Sequence, residues 1–360
     1  MSSGPALDLS ADAVPLTAAL VDVASVSGDE AHLADLVERA LTALPQLRVW
    51  RSGNVVGART ELGRRQRVIL AGHLDTVPIA GNVPSRTEDG RIHGCGASDM
   101  KSGDAVALRA AHEIGSGRLE PGVDVSWIFY DCEEVEAARN GLRALAADRP
   151  DELRGDLAVL LEPTSGGVEG GCQGTLRAVV RTTGRRAHSA RSWLGANAIH
   201  AAAPVLQRLA DYVAREPVVD GLRFHEGLNA VAVAGGVAGN VVPDECRVTV
   251  NFRFAPDRDE AAAEQHVREV FAGFDVTVVD SAPGARPGLD GALAQRFATL
   301  VGGPVTAKLG WTDVARFSGL GVPAVNFGPG DPGLAHKPEE SVEIARIRAG
   351  ERVLLEFLRG

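Results

Sequence analysis

Apolar residues follow two kinds of pattern along the chain. At residues 14–44 they recur at helical spacing, with Leu16, Leu20 and Val23 before a Ser27-Gly28-Asp29 break and Leu33, Leu36, Val37, Ala40 and Leu41 after it. This predicts two amphipathic helices. Four short runs, at 68–71, 125–130, 157–161 and 322–327, are instead predominantly apolar. Each has strand length and lacks polar alternation, the mark of strands covered on both faces. Helical patterns at 104–114 and 141–147 lie between them, so the alternation predicts an α/β layer with a largely parallel sheet.

From about Thr175 the texture changes. Apolar and polar residues alternate at 176–182 and 247–254, with helical patterns at 196–213 and 259–271 and a Pro/Gly-rich stretch at 282–288. These predict a separate α+β module, with the last stretch as a linker back to the first domain. The expected organisation is therefore a discontinuous larger domain at 1–174 and 287–360, carrying an inserted smaller domain at 175–286.

Composition narrows the partners. A net charge of −10 argues against nucleic acid and anionic membrane, since phosphate binding needs surplus Lys and Arg. Small solutes are the expected ligands. No apolar stretch approaches the roughly 20 residues of a membrane span, and residues 1–10 have no basic residue ahead of an apolar run, so no secretory leader is expected. Cys95, Cys132, Cys172 and Cys246 are scattered without a CxxC pair, which suits a reducing compartment and predicts a cytoplasmic chain.

The candidate chemistry sits where the apolar runs end, the place where open α/β sheets bind ligands. Gly72-His73-Leu74-Asp75 follows the first run, Asp131-Cys132-Glu133-Glu134 the second and Glu162 the third, while the fourth leads through a Gly/Pro loop to His336. A fifth element, Gly94-Cys95-Gly96-Ala97-Ser98-Asp99-Met100-Lys101, precedes the helix at 104–114. Taken singly each signal is weak. Jointly, carboxylates converging on one sheet edge would repel one another unless a cation held them.

Two imidazoles and three carboxylates suit zinc, cobalt or manganese. Charge balance favours two ions over one. If Asp99 bridges both and Glu134 and Glu162 bind one each, three negative ligands and a shared hydroxide neutralise two dications, and His73 and His336 complete one ion each. Asp75 is then expected to accept a hydrogen bond from His73 and fix its tautomer, and Glu133 to act as general base and acid. His188, in Arg185-Arg186-Ala187-His188-Ser189, is a candidate oxyanion donor.

In order and spacing, these motifs resemble the M20-type co-catalytic zinc peptidases and aminoacylases over nearly the whole chain. The resemblance rests on Gly72-His73-Leu74-Asp75-Thr76-Val77-Pro78, Gly96-Ala97-Ser98-Asp99-Met100-Lys101-Ser102-Gly103, Glu133-Glu134, Glu162-Pro163-Thr164 and Ala335-His336-Lys337. It implies a mostly parallel-stranded, zinc-exopeptidase-like α/β catalytic domain with an inserted α+β dimerisation or lid domain. It implies two Zn2+ per subunit, one held by His73, Asp99 and Glu162 and the other by Asp99, Glu134 and His336, with Co2+ or Mn2+ as substitutes. A homodimer in which His188 reaches the partner's site, and a cis peptide between Asp99 and Met100, are implied as well.

Stretches such as Gly171-Cys172-Gln173-Gly174-Thr175-Leu176-Arg177 and Gly310-Trp311-Thr312-Asp313-Val314-Ala315-Arg316-Phe317 look like the actinobacterial form of the branch that removes succinate from N-succinyl-LL-2,6-diaminopimelate in lysine biosynthesis. The resemblance then implies substrate contacts from Arg177, Asn240, Arg253 and Thr312, because a substrate with three carboxylates calls for guanidinium forks. Trp311 departs from the Gly/Ser-rich loop of the proteobacterial enzymes. Competing expectations are an acetylornithine deacetylase or another M20-type aminoacylase or dipeptidase and, from another class, an inactive dimeric homologue that binds carboxylates.

Overall fold

A computed structural model describes residues 6–360. Residues 1–5, part of the segment read for a leader, lie outside the described residues. An eight-stranded sheet runs in the order Arg48–Ser52, Val55–Arg59, Asp124–Tyr130, Arg67–His73, Leu157–Leu160, Ala324–Asn326, Glu169–Gly170, Thr306–Ala307. Its centre is parallel, and the four parallel strands there coincide with the four apolar runs. Antiparallel strands flank them. The mostly parallel α/β layer expected from the sequence is thus the architecture found, and central strands buried along nearly every residue explain why polar alternation is missing.

Helices Ala13–Val21, Ala31–Thr42, Ser102–Gly115 and Ile344–Arg359 cover this sheet through one core. Leu16, Leu20, Leu36, Val37, Leu108, Ile114, Leu354 and Phe357 pack there with Val68, Leu70, Val125 and Trp127. Strand register places the ends of the central strands. His73 lies opposite Tyr130, Ala71 opposite Leu160, and Leu160 opposite Asn326. The two longer parallel strands therefore finish level, the other two end within two residues of them, and the chain leaves all four at one edge.

At the opposite end of the sheet, the Asp124 carboxylate accepts hydrogen bonds from the Thr60 hydroxyl (2.6 Å) and the amides of Leu62 (2.9 Å) and Arg64 (2.8 Å). Burial pushes its pKa up, yet these bonds hold it below the usual carboxylate value.

The chain divides into two compact units, the smaller comprising Gly171–Pro287 and Ala307–Trp311. Its sheet is antiparallel, in the order Gly227–Gly235, Glu245–Phe254, Gly174–Thr183, Asp275–Ala282. Leu176, Ala178 and Val180, with Val248, Val250, Phe252 and Phe254, pack on Ala198, Ala202, Val205, Val267 and Phe271 of the helices. Alternate residues face away, as a sheet with one covered face requires. The single helix expected at 196–213 is two, Ala198–Ala201 and Ala203–Ala210, because Pro204 has no amide hydrogen to continue the ladder.

Candidate metal centre

Each ligand-type side chain stands just beyond a strand end or in an adjoining turn. His73 closes its strand and is buried, Glu133 and Glu134 follow Asp124–Tyr130, and Glu162 follows Leu157–Leu160. Asp99 lies in the turn ahead of helix Ser102–Gly115, where the Asp99–Met100 peptide is cis. His336 occupies the loop after Ala324–Asn326 with a φ of +64°.

These loops bring five donor side chains together. Asp99 Oδ1 lies 3.3 Å from His73 Nε2, and Asp99 Oδ2 lies 3.4 Å from His336 Nε2. His336 Nε2 is also 2.9 Å from Glu134 Oε1. His73, Asp99 and Glu162 form one group whose donor atoms lie within 4.8 Å of one another, and Asp99, Glu134 and His336 form another. Only Asp99 belongs to both. A carboxylate with each oxygen turned to a different imidazole is the arrangement a bridging ligand needs, and the mixed N/O set fits two borderline or hard dications.

The electrostatics point the same way. Burial alone would lower the pKa of His73, but the hydrogen bond to Asp99 and the charges of Asp75, Glu133 and Asp99 push it well above the usual histidine value. Hydrogen bonds to Asp99 and Glu134 raise His336 to about 10. Burial opposes ionisation of Asp99, yet its bonds to His336 and His73 hold it below the usual range. Glu133 is pushed well up by burial, then by the charge of Glu162. The pocket demands positive charge.

Asp75 behaves differently from the expectation. The main-chain carbonyl of Asp75, 3.0 Å from Nδ1, is what the His73 imidazole meets first, with the carboxylate at 3.5 Å. The carboxylate instead accepts the amides of Glu133 (3.0 Å) and Glu134 (3.1 Å) and the Ser27 hydroxyl (2.7 Å). It aims the Glu133-Glu134 turn, while the carbonyl next to it orients the ring. Spacing in sequence cannot separate these two roles, because both belong to one residue.

Among the buried acids that the sequence reading passed over are Asp104 and Glu340. Asp104 stands in the first turn of helix Ser102–Gly115, where an acid reads as an ordinary partner of the helix dipole, so nothing in the sequence marked it. A Cβ at position 72 would sit 2.0 Å from its Oδ1, so Gly72 is needed directly before His73. A third group, Glu30, Asp131 and Cys132, also brings donor atoms within 4.8 Å. Within it the Cys132 amide and thiol both donate to Glu30 Oε1, at 3.3 and 3.5 Å. Burial, reinforced by Glu30, pushes that thiol up to about 12, so it keeps its proton.

The other candidates do not join either donor group. His188 is exposed, and its Nδ1 accepts the Ala190 amide at 3.1 Å. The Asn240 carbonyl accepts the neighbouring Ser189 amide at 2.9 Å. Arg177 is paired with Asp280 at 3.0 Å. Arg253 is partly buried on strand Glu245–Phe254, and Thr312 is buried with its hydroxyl 2.9 Å from Asn326 Oδ1.

The family model of peptidase family M20/M25/M40 matches residues 69–360. The chain belongs to this family. It is accordingly a metal-dependent hydrolase. Among M20 relatives, a Mycobacterium tuberculosis protein described as a putative succinyl-diaminopimelate desuccinylase is 56% identical over 357 residues, 98% of this chain and all of that one. A Corynebacterium glutamicum protein named succinyl-diaminopimelate desuccinylase is 47% identical over 362 residues, 98% of each chain. A solved tripeptidase from Staphylococcus aureus superposes with a TM-score of 0.79 at 20% identity, covering 99% of each chain, and shares the M20 fold.

Proposed function

We propose that this chain hydrolyses N-succinyl-LL-2,6-diaminopimelate to succinate and LL-2,6-diaminopimelate, in lysine and diaminopimelate biosynthesis. The observation that carries the chemistry is Asp99, with one oxygen toward His73 and the other toward His336. The substrate is drawn from the near-full-length likeness to the M. tuberculosis and C. glutamicum proteins.

Two Zn2+, replaceable by Co2+ or Mn2+, would be held by His73, Asp99 and Glu162 and by Asp99, Glu134 and His336; bound there, they would acidify a water and polarise the acyl carbonyl. Glu133 takes the proton of the attacking water on its carboxylate and delivers it to the leaving nitrogen as the amide C–N bond breaks. Its high proton affinity suits a group that must hold that proton between the two transfers. Asp75 keeps it aimed through the amides of Glu133 and Glu134.

His188 supplies the oxyanion donor. With Nδ1 accepting from Ala190, the neutral ring carries its hydrogen on Nε2, which is left as the donor. A homodimer would bring His188 to the partner's site. Strand Gly227–Gly235 supports that assembly, since it is a sheet edge without a charged residue, with Val231 and Val233 exposed. Such an edge is a template for a second strand. Of the proposed substrate contacts, Arg253 suits a substrate carboxylate better than Arg177, because no ion pair engages it among the described residues while Asp280 already engages Arg177. Asn240 and Thr312 complete the proposed set. Four buried cysteines, none in a disulfide, suit a reducing cytoplasm, and among the described residues no helix is long and apolar enough to cross a membrane.

The test is a panel of N-acyl substrates with the Zn2+-loaded chain. The N-succinyl substrate should give the highest kcat/KM, and a chelator should abolish turnover. Faster hydrolysis of N-acetylornithine would move the chain to the deacetylases, and zero turnover on every member would leave the carboxylate-binding homologue.

A further inference from the structure

The turn that presents Asp99 is fastened by one side chain from the segment that bears His336. Glu340 is buried and lies four residues beyond His336. Its Oε2 accepts the Gly96 amide hydrogen at 3.0 Å, and its Oε1 accepts those of Ser98 and Asp99, both at 2.9 Å. Its carbonyl oxygen accepts the Gly94 amide at 3.0 Å. Directly after it, Ser341–Glu343 pairs with Arg91–His93, the strand that leads into the turn. Ser98 adds a second tie, its hydroxyl donating to the Ser341 carbonyl at 3.2 Å and accepting the Asp331 amide at 2.8 Å.

One residue therefore grips the Asp99 turn with its main chain at the entrance and its carboxylate in the middle. Bonds that merely kept this segment folded would have no need to end at the donor residue. Here one ends on the amide of Asp99, whose two oxygens face two different imidazoles. Fixing that amide fixes the main chain from which both oxygens hang. The same residue also fixes the segment that carries His336.

We infer that Glu340 is a positioning residue for the two-ion site proposed above, on which this inference rests: it sets Asp99 against His73 and His336 and thereby tunes the affinity for both ions at once. A residue serving a single ion would act on one only. Glu340→Gln keeps the shape of the side chain but turns an N–H toward a backbone amide that the carboxylate had accepted. Glu340→Asp keeps the charge and draws it back by one methylene.

The experiment is a Co2+ titration of the metal-stripped full-length chain against a competing chelator, following the visible Co2+ absorption, with thermal unfolding recorded alongside. In Glu340→Gln, both equivalents should bind roughly 10 to 100-fold more weakly, the range for losing a partner of a metal ligand, and the Co2+ spectrum should shift. Glu340→Asp should weaken both as well. His336→Ala should instead lose tight binding of one equivalent. Wild-type affinity and spectrum in either folded Glu340 variant, whatever the change in Tm, would overturn the inference alone. A wild-type chain that takes up no Co2+ would bring down the two-ion site and this inference with it.

Discussion

The two units hold their candidate residues in opposite ways. In the larger one, His73, Glu134 and Glu162 are buried or nearly so while His336 is half exposed, and two of the loops are pinned by carboxylates accepting backbone amides, Asp75 for the Glu133-Glu134 turn and Glu340 for the Asp99 turn. In the smaller one, His188 and Asn240 lie on exposed loops, and the edge strand Gly227–Gly235 is open to solvent. The difference separates bond breaking from recognition. Groups that move protons or hold ions must be preorganised inside low-dielectric surroundings, whereas groups that meet a substrate or a second copy stay accessible until the partner arrives.

If that division holds, the largest effect belongs to the rigid site. Glu133→Ala should retain two equivalents of Zn2+ by metal analysis and lose about 10² to 10⁴ in kcat, because it removes the base and no ligand. Full activity in that variant would break the comparison at its strongest point. His188→Ala should lower kcat by about 10² to 10³ with metal content and oligomeric state unchanged, as for one oxyanion donor. An unchanged kcat would make His188 an ordinary loop residue.

The edge strand sharpens the contrast. The double variant Val231→Lys, Val233→Lys should sediment as a monomer, since like charges across a paired edge repel, and its kcat should fall as far as that of His188→Ala. A monomer with full activity would show that the smaller unit completes nothing.

Asp124→Asn is the smallest effect on turnover. Removing this charged acceptor should cost about 1.5 to 3 kcal/mol of stability in denaturant titrations, with kcat unchanged. The folded-state pKa of Asp124 lies below its unfolded value. Its stabilisation is therefore complete above about pH 4, the ordinary carboxylate value, and disappears as the pH falls through the folded value. The gap between wild type and Asp124→Asn should be widest near neutrality and close in acid.

Legibility in the sequence divides along the same line. The four apolar runs read as strands because burial on both faces leaves no polar alternation, and their ends then marked His73, Glu133, Glu134 and Glu162 without further information. Strand Gly227–Gly235 did not read, since its Ala, Val and Gly residues show no alternation and its exposure leaves no pattern of burial. Asp75 was placed beside His73 correctly in sequence but not in role, because a backbone carbonyl leaves no trace in residue type. Glu340 was invisible for a related reason. Its partners are amide hydrogens, which nearly every residue possesses, so nothing in the letters at 94–99 marks them as an anion's seat.

The level strand ends have one more result. A slip of a single residue between Arg67–His73 and Asp124–Tyr130 would carry His73 about 3.3 Å along the sheet and turn it to the other side. A chain zipped out of step would present no cup for a cation, so uptake of metal doubles as an inspection of how the sheet was assembled.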